Sequence, residues 1–149
     1  MARSTIHASA VLIGAKAVLI RGPSGAGKSR LALDLILAAA QGPLPFARLV
    51  GDDRVYVEAQ AGRLLVRPAQ QLAGLIEVRG LGIRRLAYEP MAVVGVIVDL
   101  GGPEQARLPG PADRKTVLES IEVPLLSVAT GKSALPLVLA WLRTTGAVD

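Results

Sequence analysis

Eight consecutive residues, Gly22-Pro23-Ser24-Gly25-Ala26-Gly27-Lys28-Ser29, have the composition and order needed to hold a polyphosphate. The glycines let backbone N–H groups turn inward around an anion. A helix that starts here adds the partial positive charge of its N-terminus. Lys28 can reach terminal phosphates, and Ser29 carries the hydroxyl that normally completes a Mg²⁺ shell. Both flanks suit the motif: the apolar run Ala17-Val18-Leu19-Ile20 reads as a strand, and Leu31 to Leu37 reads as a helix. Strand, Gly-rich loop and helix in that order form the context of a P-loop, so a nucleoside triphosphate or a related polyphosphate is the expected ligand.

Phosphoryl transfer also needs Mg²⁺ ligands and a group that handles the acceptor's proton. Asp52-Asp53 follows the short apolar run Arg48-Leu49-Val50, where a second acidic motif commonly sits in P-loop proteins. Adjacent residues on a strand point to opposite faces, so one carboxylate could face Mg²⁺ and the other the acceptor. The plainer alternative is an Asx-turn leading into the next hairpin. His7 is the only histidine, and a lone histidine is more often a surface or satisfied core residue than a catalytic one. Glu77 and Arg79 are two apart and share a face if that segment is extended. The carboxylate can bind Mg²⁺ and the guanidinium can clamp a phosphate, or the two form a surface ion pair.

The elements that must position these groups are legible in outline. Val11 to Gly14 and Ala17 to Ile20 read as strands joined by a turn at Gly14-Ala15-Lys16. The P-loop helix is expected from Gly27 to Ala40, stopped by Gln41-Gly42-Pro43-Leu44-Pro45. Val55 to Glu58 and Arg63 to Arg67 alternate around Ala61-Gly62 as a hairpin. Ala73 to Gly82 is too rich in glycine for a helix and reads as a short strand or loop. Ala92 to Leu100 reads as a fully buried strand. Gly101 to Arg114, rich in Gly and Pro, reads as a mobile loop. A strand candidate follows at Val123 to Val128, then a terminal helix from Leu135 to Arg143 with Trp141 packing inward. The expected class is α/β, a P-loop core on a mixed sheet rather than the doubly wound parallel sheet of most nucleotide kinases.

The chain has 149 residues, 51% of them hydrophobic but only 3% aromatic, which suggests one domain with an aliphatic core. So few aromatics disfavour recognition of single-stranded nucleic acid by stacking, and no nucleic-acid motif is present. Without cysteine there is neither a disulfide framework nor a zinc-thiolate site. Apolar stretches are broken by Lys16, Arg21, Gly95 and Asp99, so none makes a membrane span. The start, Met1 to His7, lacks a signal-peptide pattern, and a cytoplasmic location is expected. A net charge of +5 suits a phosphate-handling pocket or an acidic protein partner.

Taken together, Ile6-His7-Ala8, the P-loop, Leu49-Val50-Gly51-Asp52-Asp53-Arg54-Val55 and Leu75-Ile76-Glu77-Val78-Arg79-Gly80-Leu81-Gly82-Ile83 resemble the catalytic domain of HPr kinase/phosphorylase. P-loops are common, whereas the Glu-Val-Arg-Gly-Leu-Gly segment downstream of Asp-Asp-Arg-Val is far more specific. The resemblance covers about residues 5 to 100 and is strongest to the short alphaproteobacterial form, which lacks the family's N-terminal domain. It implies a core related to phosphoenolpyruvate carboxykinase, and an enzyme that phosphorylates a serine of the phosphocarrier HPr with ATP and removes it by phosphorolysis with inorganic phosphate. By position, Lys28 and the loop would hold phosphate, and Ser29, Asp53 and Glu77 would organise Mg²⁺. Asp52 would be the general base, His7 would tune the acidic pair, and Arg79 would stabilise the transferring phosphate. Arg107-Leu108 resembles the family's mobile-loop Arg-Leu. The roles of Asp52 and Asp53 are interchangeable at this level.

The family's C-terminal Pro-Gly-Arg-Asn is replaced by Ala129-Thr130-Gly131-Lys132-Ser133, which leaves partner docking and a homo-oligomer open. Gly131-Lys132-Ser133 is not a second P-loop, since Leu126 stands where the first glycine would be, although a helix start there could attract an anion. Two other readings stand beside the protein kinase: a small-molecule kinase, and a nucleotide- or phosphate-sensing module without turnover.

Overall fold

The computed structural model describes residues 4–42, 44–105 and 107–147. Met1 to Arg3, Pro43 of the expected helix stop, and Ala106 of the expected loop lie outside the described residues. A five-stranded ring organises the chain. β1 (Thr5–Ile13) pairs antiparallel with β2 (Lys16–Arg21), and β2 pairs in parallel with β8 (Ala92–Gly102). The start of β8 pairs with β5 (Arg63–Pro68), β5 with β4 (Arg54–Gln60), and β4 with the start of β1, closing the circle. β3 (Ala47–Gly51) adds to β1, and β10 (Ile121–Ala129) adds in parallel to β8 and carries β9 (Lys115–Leu118). β6 (Leu75–Val78) and β7 (Gly82–Arg85) form a separate hairpin. The expected mixed sheet is present.

Strand alternation sorts the apolar residues into two cores. Ala8, Ala10, Ala17, Leu19, Val66, Val94 and Ile97 fill the inside of the ring. Val11, Ile13, Val18, Ile20, Val96, Val98 and Leu100 face outward and are covered by α1 (Lys28–Ala40) and α2 (Leu135–Arg143). Leu31 and Leu35, four apart on α1, are almost fully buried there, each contributing about 1.5–3 kcal/mol of apolar transfer. Along β8 the inward positions change parity between Val94 and Ile97, because the pairing register with β2 skips Gly95. A Cβ at Gly95 would lie 2.9 Å from Lys16 Cβ, so the bulge that turns β8 from one side of the ring to the other requires glycine.

The glycine-rich stretch Ala73 to Gly82 holds the expected short strand, β6, while two expectations are corrected. Two strands rather than one lie between Lys115 and Ala129, joined by Glu119 and Ser120 at φ 51° and 65°. Trp141 is 39% exposed rather than packed inward. The inner stripe of α2 is Leu135, Val138, Leu139 and Leu142, and Trp141 lies beside it.

Candidate active site

The parallel strands β2, β8 and β10 end side by side, and a cleft opens beyond their carboxyl ends, as expected where parallel strands diverge. Its volume is about 1190 Å³. The loop after β2 forms one wall, Leu100 and Gly101 of β8 the floor, and Thr130 to Ser133 beyond β10 the opposite rim. His7, Asp53, Glu77 and Arg79 line it too.

The loop is shaped by two different demands on glycine. Gly27, the N-cap of α1, has φ 99° with open space where a Cβ would stand, so its need is conformational. Gly22 needs space: a Cβ there would lie 2.9 Å from the Leu100 carbonyl oxygen and 3.1 Å from Leu100 Cβ. Gly22→Ala is therefore expected to push the loop off β8. Overpacking of this kind costs roughly 1–3 kcal/mol. Thermal unfolding should show a drop of several degrees, and nucleotide titration a matching loss of affinity.

Lys28 opens α1 and is 7% exposed. Its Nζ donates to the carbonyls of Gly22 at 2.8 Å and Pro23 at 3.1 Å, which keeps the ammonium under the loop. The first turn of α1 holds Lys28 and Arg30 and no acid. Cations at the positive end of a helix are unfavourable unless an anion joins them, so the charge pattern fits a phosphate ligand.

The acidic pair is divided by a tight turn. Arg54 N–H donates to the Asp52 carbonyl at 2.8 Å, and Asp53 between them has φ 69°. This three-residue turn is strained for a non-glycine residue. It sends the two carboxylates to different places. Asp52 is 4% exposed and accepts from the Ser9 hydroxyl at 2.6 Å, the Ser29 hydroxyl at 2.8 Å to each oxygen, and the Glu77 N–H at 3.2 Å. The Asp53 side chain is 60% exposed in the cleft, with His7 Nε2 2.9 Å from its Oδ1. His7 thus stands beside the acidic pair.

Glu77 sits near the end of β6 with its side chain exposed. Arg79 lies in the turn beyond the strand rather than on it, yet reaches the same cleft. Arg107 is exposed in the loop after β8 and is not among the residues lining the cleft. Ser9 is a site residue that sequence reasoning missed. The available signal was its position two after His7 on an apolar strand, which puts both side chains on one face.

The donors around Ser29 are hard oxygens, which suit Mg²⁺. Among the described residues no group of three or more His, Cys, Asp or Glu is placed to hold a metal. Among the described residues no helix is long and apolar enough to cross a membrane.

Residues 1–88 match the family described as HPr Serine kinase C-terminal domain. The HPr kinase/phosphorylase of Streptococcus thermophilus strain LMD-9 is 44% identical over 82 residues, which cover 54% of this chain and 24% of that protein. That of Limosilactobacillus reuteri strain DSM 20016 is 43% identical over 82 residues, covering 54% of this chain and 23% of that protein. The matched stretch therefore spans about a quarter of those relatives. A solved structure, the Hpr(Ser) kinase/phosphatase from Coxiella burnetii, superposes with a TM-score of 0.75 at 23% identity, covering 95% of this chain and 89% of that chain. At that identity the superposition speaks for the fold, and it extends the likeness beyond residue 88.

Proposed function

The chain belongs to the HPr Serine kinase C-terminal domain family, and on that premise we propose that it transfers phosphate from ATP to a serine of an HPr-like phosphocarrier protein and removes it again with inorganic phosphate. The observation that carries this reading is a cleft lined by the P-loop lysine and serine and by the exposed carboxylate of Asp53, with the carboxylate of Asp52 buried behind Ser29.

In the forward direction, the loop amides and Lys28 hold the nucleotide's phosphates. Ser29 and Asp52, joined at 2.8 Å, form the oxygen-rich corner for Mg²⁺, with Asp53 and Glu77 at its border. When bound, Mg²⁺ would neutralise charge on the phosphate oxygens. Asp53, exposed and held by His7, takes the proton of the acceptor serine as its oxygen attacks the γ-phosphorus and ADP leaves. In the reverse direction, inorganic phosphate attacks phosphoserine, pyrophosphate forms, and the same carboxyl returns a proton to the serine oxygen. Arg79 on the cleft wall supports the transferring group. This assigns the base to Asp53 and the metal corner to Asp52, the reverse of what the family resemblance implies by position. Burial supports the exchange, because a carboxylate engaged by three donors has little capacity left for an incoming hydroxyl.

Mass spectrometry of purified HPr-type carriers, incubated with the protein, Mg²⁺ and ATP, tests the reading. One phosphate gained on serine, and lost when inorganic phosphate replaces ATP, is the expected result. No transfer to any carrier with ATP binding intact would instead favour another acceptor or a sensing role.

A further inference from the structure

We propose that Ser9 is a positioning residue for the metal corner of this site, acting through Asp52. The inference rests on the phosphotransfer reading above. Ser9 lies in the middle of β1, opposite Ile20 of β2, and is fully buried. Its neighbours on the same face are His7 on one side and Val11 on the other, and Val11 belongs to the apolar core under α1. A hydroxyl in such a place is costly unless it is hydrogen-bonded. Here it makes a short charge-assisted bond, 2.6 Å to Asp52 Oδ1.

The donor inventory shows what that bond does. The Ser29 hydroxyl has one proton and lies 2.8 Å from both Asp52 oxygens, so it donates to only one of them at a time. Ser9 pins Oδ1, and the Glu77 N–H pins Oδ2 at 3.2 Å. The carboxylate plane is therefore fixed at both ends without Ser29. Ser29 is left to orient its oxygen lone pairs toward an incoming cation. Remove Ser9, and Ser29 becomes the sole side-chain partner of Asp52 among the described residues.

Strand β1 thereby serves the two carboxylates in parallel. His7 holds Asp53 and Ser9 holds Asp52, from alternate positions on one face. Partners that orient metal-site ligands from behind typically change metal affinity 10–100-fold when mutated.

The test is Mg²⁺-dependent binding of β,γ-imido-ATP to the full chain, compared between wild type, Ser9→Ala and Ser9→Thr. Ser9→Ala should raise the Mg²⁺ concentration for half-maximal binding about tenfold, leave nucleotide binding in excess EDTA unchanged, and be corrected by Ser9→Thr. Ser9→Cys keeps the shape with a weak donor; it should shift the Mg²⁺ midpoint in the same direction, and it decides the question should the alanine variant not fold. An unchanged Mg²⁺ midpoint overturns the proposal. So does an equal loss of binding with and without Mg²⁺, which would make Ser9 a packing residue. Wild-type protein that binds no nucleotide under any Mg²⁺ concentration would remove the phosphotransfer reading itself, a result distinct from a wild type and variant that respond to Mg²⁺ alike.

Discussion

Lys28→Ala is expected to lower phosphoryl transfer by about 10²–10³-fold, the loss that follows removal of one preorganised donor from developing negative charge. The side chain is nearly buried and points back under the loop, donating to Gly22 and Pro23 carbonyls. Those are neutral partners, so the ammonium's charge is uncompensated by the contacts that hold it in place. It also sits at the positive end of α1, where no acid in the first turn offsets it. A phosphate between the loop amides and Nζ would complete both arrangements at once. The consequence should appear in two measurements. Nucleotide affinity should fall, since ground-state phosphates lose a charge-assisted partner. The transfer rate at saturating nucleotide should fall as well, since charge moves on the phosphoryl oxygens during reaction. Arginine should not restore function, because a planar fork does not fit a pocket that holds a compact point charge against two carbonyls. Alanine and wild-type proteins with equal affinity and equal rate would remove the P-loop from the mechanism.

The P-loop was legible in sequence because its chemistry is local: contiguous residues supply the turn, the amides, the lysine and the helix start. The acidic pair was legible as a pair but not in its division of roles. Strand alternation is not what separates Asp52 from Asp53, since both lie in the turn between β3 and β4; which one is buried depends on Ser9 and Ser29, distant in the chain, and on the positive φ at Asp53. Ser9 itself carries no motif; only the register that brings β1 alongside the Gly51-Asp52-Asp53 turn gives its hydroxyl a partner. The hairpin β9–β10 escaped for a related reason. Its turn uses left-handed conformations at Glu119 and Ser120, residues that seldom announce such a turn, where Ala61-Gly62 did so through its glycine. The closed ring was not legible at all. It depends on β8 changing sides at Gly95, and a glycine inside an apolar run indicates a weak point without saying what passes close to it.

Asp53→Asn is expected to reduce transfer to a serine acceptor by about 10²–10⁴-fold, the range for loss of a general base, while leaving Mg²⁺-nucleotide binding close to wild type. Asparagine matches the shape of aspartate and tolerates the positive φ of 69° that the turn imposes, so the Arg54 to Asp52 backbone bond and the fold should survive. What disappears is the ability to accept a proton in the cleft, at the one carboxylate of the pair that is exposed there. His7→Ala removes the bond that orients Asp53 and should produce a smaller fall of the same kind, since the carboxylate remains. Asp52→Asn should behave differently. Only one oxygen would remain as acceptor, and the N–H₂ in place of the other would face a donor, either the Ser9 hydroxyl or the Glu77 N–H, so the buried cluster would lose one of its two acceptors and its match to Ser29. Its effect should fall first on Mg²⁺-dependent nucleotide binding and on thermal stability. The two asparagine variants therefore separate by readout: Asp53→Asn binds and does not transfer, whereas Asp52→Asn binds poorly. If instead Asp52→Asn keeps binding and loses transfer while Asp53→Asn transfers normally, the base is Asp52. Its hydrogen bonds to Ser9 and Ser29 would then have to open when the acceptor serine arrives.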